Sequence, residues 1–190
     1  MLNHKISYSK RFTIIFEICL ISTLISFITI LRYVLYFLPN IELVTFFLLI
    51  FVLLFKNTFS FVLINSFCLV QIILFGQSDL FYFVIYNFYA IIIIVLRKNI
   101  FSYQYLLAIL FFLFGILFGA LYSFNYLIIN NFNFKIMLAY YIKGIPFDLI
   151  HGIGNLLLFL FLYYPTQKII KQFALNNTNL FNIKYLNNII

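Results

Sequence analysis

The chain has 190 residues, 66% of them apolar and 8% charged, with a mean hydropathy of +1.13. A soluble domain carries about 25% charged residues, so soluble enzymes, nucleic-acid binders and disordered chains are excluded, and lipid must be the main solvent. The net charge of +8 then marks cytoplasmic loops rather than a nucleic-acid footprint.

A spanning helix needs about 20 apolar residues, which predicts an all-α membrane protein built as a bundle of about six transmembrane helices. The polar, basic start MLNHKISYSKRF leads into an apolar run over residues 12–38. That run is too long for a signal-peptide core and has no small-residue cleavage site after it, so it is expected to be a retained first span. Pro39 and Asn40 end it. Residues 41–55 form a short second run, stopped by Lys56-Asn57-Thr58. The third run covers 59–75 and stops at Gly76-Gln77-Ser78-Asp79; the fourth covers 80–96 and stops at Arg97-Lys98-Asn99. The fifth covers 105–129 and ends at Asn130-Asn131-Phe132-Asn133. Residues 136–142 are too short to cross and are broken by Lys143-Gly144-Ile145-Pro146, so the sixth span is expected from Asp148 to Tyr164, before Pro165. Barrel strands would alternate polar and apolar residues, and these runs do not. Residues 1–173 form one integral-membrane domain and residues 174–190 a polar, Asn-rich cytoplasmic tail.

Lysine and arginine set the orientation. With a cytoplasmic start, the inner side holds Lys5, Lys10, Arg11, Lys56, Arg97, Lys98, Lys168, Lys171 and Lys184. The outer side holds only Lys135 and Lys143, with Arg32 at the outer end of the first span. Both termini are therefore expected in the cytoplasm. Tyr33, Tyr36, Tyr122 and Tyr126 outside, and Tyr103, Tyr105, Tyr163 and Tyr164 inside, supply an interfacial belt in a chain without Trp. Cys19 and Cys68 lie in apolar runs and form neither a metal-ligand pattern nor a disulfide framework. No internal repeat and no Walker motif is present, so ATP would have to be hydrolysed by a partner.

Polar residues in or beside spans are functional candidates, and here they gather on the outer side. Arg32, Asn40 and Glu42 surround the first outer loop; Gln77 and Asp79 lie in the second; Lys143, Asp148, His151 and Asn155 belong to the third and to the start of span six. Asp148, His151 and Asn155 share one helix face by their spacing. Each has a plainer reading as well. Asp148 after Pro146 suits a helix N-cap, His151 a buried residue with one partner, and Asn155 a bond to a neighbouring helix. Arg32 suits a snorkelling side chain, and Glu42 and Asp79 solvated loop charges. Ser22 with Ser26, and Gly115 with Gly119, form small-xxx-small pairs suited to close helix packing.

These motifs carry a resemblance. LRYVLYFLPNIELVTF (residues 31–46) resembles the first-loop region of substrate-binding S components of energy-coupling factor (ECF) transporters, and GQSDLFYF (residues 76–83) resembles their Gly-rich aromatic loop. GIPFDLIHGIGNLLLFLFLYYPTQKIIKQF (residues 144–173) resembles the family's last span. The resemblance covers residues 12–173. It implies a bacterial, multi-pass cell-membrane protein that is not itself an enzyme. It would bind a water-soluble vitamin or related micronutrient from outside and deliver it through a transmembrane coupling subunit with two ATPase subunits. It implies substrate contact among the outer polar residues named above, and docking of the coupling subunit on Ser22 and Ser26, where the family more often has alanine. Nickel and cobalt members use an extracellular N-terminal histidine; His4 sits in a basic, cytoplasmic start, so no metal and no cofactor is expected. Cobalamin, folate, thiamine precursors and queuosine precursors remain open as ligands. The alternatives are a membrane structural or assembly protein without a small ligand, and a self-sufficient channel or small exporter, which the lack of a polar stripe through every span disfavours.

Overall fold

The structure, a computed structural model, describes residues 2–35, 37, 43–75, 81–100, 103–176 and 180–181. Among them the chain forms six helices: α1 (Leu2–Val34), α2 (Val44–Leu54), α3 (Asn57–Phe75), α4 (Phe81–Ile100), α5 (Gln104–Ile129) and α6 (Phe134–Asn176). The outside of the bundle is apolar: Ile14, Ile18, Leu69, Ile73, Leu160 and Phe161 are all exposed. Such a surface belongs in lipid, and the chain is a multi-pass membrane protein. Among the described residues, four stretches are long and apolar enough to cross a membrane: Thr13–Val34, Asn57–Leu74, Gln104–Ile129 and Phe134–Phe173. Val44–Leu54 and Phe81–Arg97 are shorter apolar helices.

Each predicted apolar run finds its helix, and the largest departure is at α6. The expected break at Lys143 to Pro146 does not exist. α6 runs unbroken for 43 residues through both Pro146 and Pro165. A proline removes one backbone hydrogen bond and crowds the preceding turn, but membrane helices tolerate this when their neighbours hold them. The chain reverses instead at residues 130–133. Asn131 and Phe132 take positive φ angles of 52° and 60°. Asn133 Oδ1 then accepts the N–H groups of Lys135 (3.1 Å) and Ile136 (3.4 Å), so Asn133 caps α6.

The α5–α6 hairpin is the most extensive helix pair in the fold. Its glycines explain the closeness. A Cβ built on Gly115 would stand 2.5 Å from the Cα of Gly152, and one on Gly119 would fall on the Asp148 carboxylate. The expected packing role of this GxxxG pair is what the structure shows. Tyr89 of α4 joins the hairpin by stacking on Phe114 at 4.2 Å and donating its hydroxyl to the Phe114 carbonyl at 2.8 Å. Asn65 and Asn87 bind α3 to α4, with Asn87 Nδ2 donating to Asn65 Oδ1 at 2.9 Å.

α2 sits in the middle of this arrangement. Every one of its residues except Phe47 is buried. A helix that is apolar all round can be surrounded on all sides, and α2 touches α1, α3, α4, α5 and α6. Its eleven residues rise only about 16 Å, roughly half of a hydrocarbon core. Thr45, in its first turn, meets His151 of α6 at 3.3 Å. Gly152, beside His151, packs on Gly115 near the midpoint of α5. α2 therefore begins at mid-depth and runs to one end of the bundle only.

That end is closed by two unexpected groups. Arg97, read from sequence as a loop charge, is 6% exposed and reaches across from α4. Its Nη1 donates to the Val52 and Phe55 carbonyls at 3.2 and 3.4 Å, and its Nη2 donates to Asn57 Oδ1. It caps the C-terminus of α2, where a helix leaves carbonyls unpaired and carries partial negative charge. Leu180 and Phe181, within the polar tail, are buried as well. Phe181 pairs with Phe55 in an isolated antiparallel bridge and stacks on its ring at 4.6 Å, while the Lys56 N–H donates to the Leu180 carbonyl at 3.0 Å. The opposite end is marked by Arg32 of α1, whose Nη1 donates to Gln71 Oε1 of α3 at 2.8 Å.

Candidate functional site

The long α6 turns one stripe of residues inward: Asp148, His151, Gly152, Asn155, Phe159, Tyr163 and Gln167 are all buried. These positions recur every three or four residues, the period of a helix face. Asp148, His151 and Asn155 do share one face, as their spacing predicts, and that face points into the bundle. Their exposures are 7%, 4% and 1%.

Asp148 does not cap a helix. It lies well inside α6, whose true cap is Asn133. Its carboxylate lies on the backbone of Gly119, in the space a side chain there would fill. The Gly119 backbone makes a hydrogen bond to the carboxylate, while Oδ2 has no hydrogen-bond partner among the described residues. Both polar atoms of the Asn155 amide, Nδ2 and Oδ1, lack a partner among the described residues. The expected bond from Asn155 to a neighbouring helix is therefore not made there. A buried polar group without a partner costs about 1–3 kcal/mol, and native structures keep few of them. With Gln167 Oε1 further along the same stripe, four such atoms stand on one helix face among the described residues, and the three at Asp148 and Asn155, inside an apolar bundle, are the strongest sign of a site in this molecule. His151 differs, since its Nε2 meets Thr45 Oγ1. Sequence reasoning missed Thr45, whose only signal was a lone polar residue in an apolar run.

An aromatic cluster adjoins this face toward the Arg32 end. The Phe118 ring lies 5.4 Å from the His151 ring. Tyr82 and Tyr86 of α4 both lie 6.0 Å from Phe118, and Tyr122 stacks on it at 6.5 Å. Tyr126 and Tyr140 continue the cluster along the hairpin, stacked at 3.8 Å. Tyr122 and Tyr126 were expected as interfacial anchors only; they also form part of this wall.

The remaining candidates separate. Arg32 is tied to Gln71, which donates in turn to Thr29 at 3.1 Å, and it shares a small cavity with Tyr82 and Tyr86. Lys143 is exposed on α6 and is not on the buried face. Asn40, Glu42, Gln77 and Asp79 lie outside the described residues. No group of acidic, histidine and cysteine residues suited to a metal ion occurs among the described residues. Ser22 and Ser26 are exposed on α1. They line a groove of about 660 Å³ between α1 and α3, with Ile25, Thr29, Val62 and Ser66 among its walls.

No known family, curated protein or solved structure matches this chain.

Proposed function

We propose that the protein is the substrate-binding subunit of an ECF-type importer in the bacterial cell membrane. It takes up a vitamin-like micronutrient from outside and hands it to a transmembrane coupling subunit driven by two ATPases. The observation that carries this reading is the buried polar face of α6, with Asp148, His151 and Asn155 turned into an otherwise apolar bundle. Polar side chains at that depth are retained where they meet a substrate or an ion. The distribution of Lys and Arg supports six crossings with both termini inside, and on this reading the Arg32 end and its aromatic wall face outward. The groove between α1 and α3 supports docking of the coupling subunit, since Ser22 and Ser26 let a partner helix approach closely.

Gentle detergent extraction followed by mass spectrometry tests the reading. A membrane coupling subunit and an ATPase pair should copurify, together with a small extracted ligand. Ser22→Leu with Ser26→Leu should remove the partners and leave the small ligand in place. A chain that purifies alone and carries no small molecule would defeat the reading in favour of a structural role.

A further inference from the structure

Glu17 is an acid inside a membrane-crossing stretch. It lies in the first turns of Thr13–Val34, the stretch with the smallest buried share of the four. α1 therefore meets lipid along most of its length, and a carboxylate there is costly unless a cation answers it. Glu17 lines a groove of about 230 Å³ between α1 and the start of α3, together with Lys56, Thr58 and the buried Leu180. Lys56 and Thr58 are exposed at its mouth. α3 starts at Asn57, so the N–H groups of its first turn, unpaired within the helix, favour an anion at the same place. The mouth thus offers a carboxylate on the α1 side and an ammonium with a helix start on the α3 side. A zwitterion with an ammonium and a phosphate a few bonds apart complements both. A simple anion meets Glu17 with like charge, and a simple cation meets Lys56. The groove continues beyond this mouth: Ile18, Ile21 and Val62 line both it and the larger groove that holds Ser22 and Ser26. From Glu17 to Ile30 the path along α1 rises about 20 Å, a little more than one leaflet of a hydrocarbon core about 30 Å thick. Its walls are mostly aliphatic, and the two serines give it depth.

We infer that this groove is a binding site for a phospholipid of the phosphatidylethanolamine type. The lipid ammonium lies on Glu17, its phosphate on Lys56 and the first turn of α3, and one acyl chain along the groove between α1 and α3. The site is separate from the buried face of α6 and stands whichever subunit role the chain has. A partner helix that docks on Ser22 and Ser26 has to displace the acyl chain.

The test uses the full chain, delipidated in detergent and titrated in native mass spectrometry with phosphatidylethanolamine, phosphatidylcholine and phosphatidylglycerol of identical acyl chains. One phosphatidylethanolamine should bind about ten-fold more tightly than either of the others. Phosphatidylcholine carries a cation that cannot donate a hydrogen bond to Glu17, and phosphatidylglycerol carries none. Glu17→Gln, which keeps the shape of the side chain, should erase the preference over phosphatidylcholine and raise the binding of phosphatidylglycerol. Lys56→Gln should weaken all three lipids, because each has a phosphate. Val62→Trp fills the groove where its two stretches meet and should also weaken all three; an unchanged thermal midpoint in lipid-free detergent shows that its fold is intact. Glu17→Gln decides the matter if Val62→Trp unfolds. Equal binding of the three lipids overturns the inference, and so does a preference for phosphatidylglycerol. A preference for phosphatidylethanolamine that Glu17→Gln leaves unchanged overturns it as well.

Discussion

Arg97 shows how much one side chain can hold. Its guanidinium spans the Val52 and Phe55 carbonyls and Asn57 at once, which closes the C-terminus of a helix that has little water near it. Removing it leaves buried carbonyls unpaired, at about 1–3 kcal/mol for each. Arg97→Ala should therefore lower the thermal midpoint in detergent by several degrees. Arg97→Lys should recover only part, because an ammonium lacks the planar fork that bridges separate acceptors. Equal midpoints for Lys and wild type would mean that charge alone suffices. Arg97 was legible in the sequence as a basic residue after an apolar run, and the positive-inside pattern explains it fully at that level. Its capping role was not legible, because the carbonyls it serves lie more than forty positions earlier in the chain. Asp148 misled for a related reason. A carboxylate two residues after a proline has every local mark of a cap, and only the unbroken run of α6 from Phe134, capped by Asn133, shows that the helix began long before.

At the scale of elements, apolar runs and their polar stops were enough to find all six helices. The face shared by Asp148, His151 and Asn155 followed from period alone. Depth did not. α2 is apolar in every direction, so nothing in its composition distinguishes a helix wrapped by protein from one wrapped by lipid. The Gly115 and Gly119 pair announced a close helix contact, but not that Gly152 of α6 would be its partner. That contact makes a matched pair of predictions. Gly115→Ala puts a methyl group against the backbone of Gly152 and should cost about 1–3 kcal/mol through overpacking. Gly154→Ala, two residues away, meets nothing within 4 Å and should be neutral or slightly stabilising, since Ala favours helix. Chemical unfolding of the two variants checks the difference; equal stability changes in both would show that the close approach at Gly115 does not limit the fold.

For the whole molecule, orientation is the property on which the proposed function depends. A single cysteine at Asn131, exposed in the α5–α6 turn, should react with an impermeant thiol reagent in intact cells. One at Thr58, exposed at the start of α3, should react only after the membrane is opened. The reverse pattern would place the aromatic wall on the cytoplasmic side and remove the uptake reading. Phe181→Ala should lower stability on the order of 3 kcal/mol, as loss of a packed aromatic ring does, and thermal unfolding would measure it. The bridge from Phe55 to Phe181 also bears on how the protein is made. The ribosome delivers α2 early, yet four of the five helices that wrap it, the arginine that caps it and the residue that seals its end all follow later. Until then a rod of about 16 Å must wait in or beside a bilayer it cannot cross alone. Biogenesis of this chain thus has a built-in delay, during which an insertase could shelter α2 and a membrane protease could recognise it. A chain stopped after Asn176 would never complete the seal, and pulse-chase labelling should find it cleared faster than the full chain.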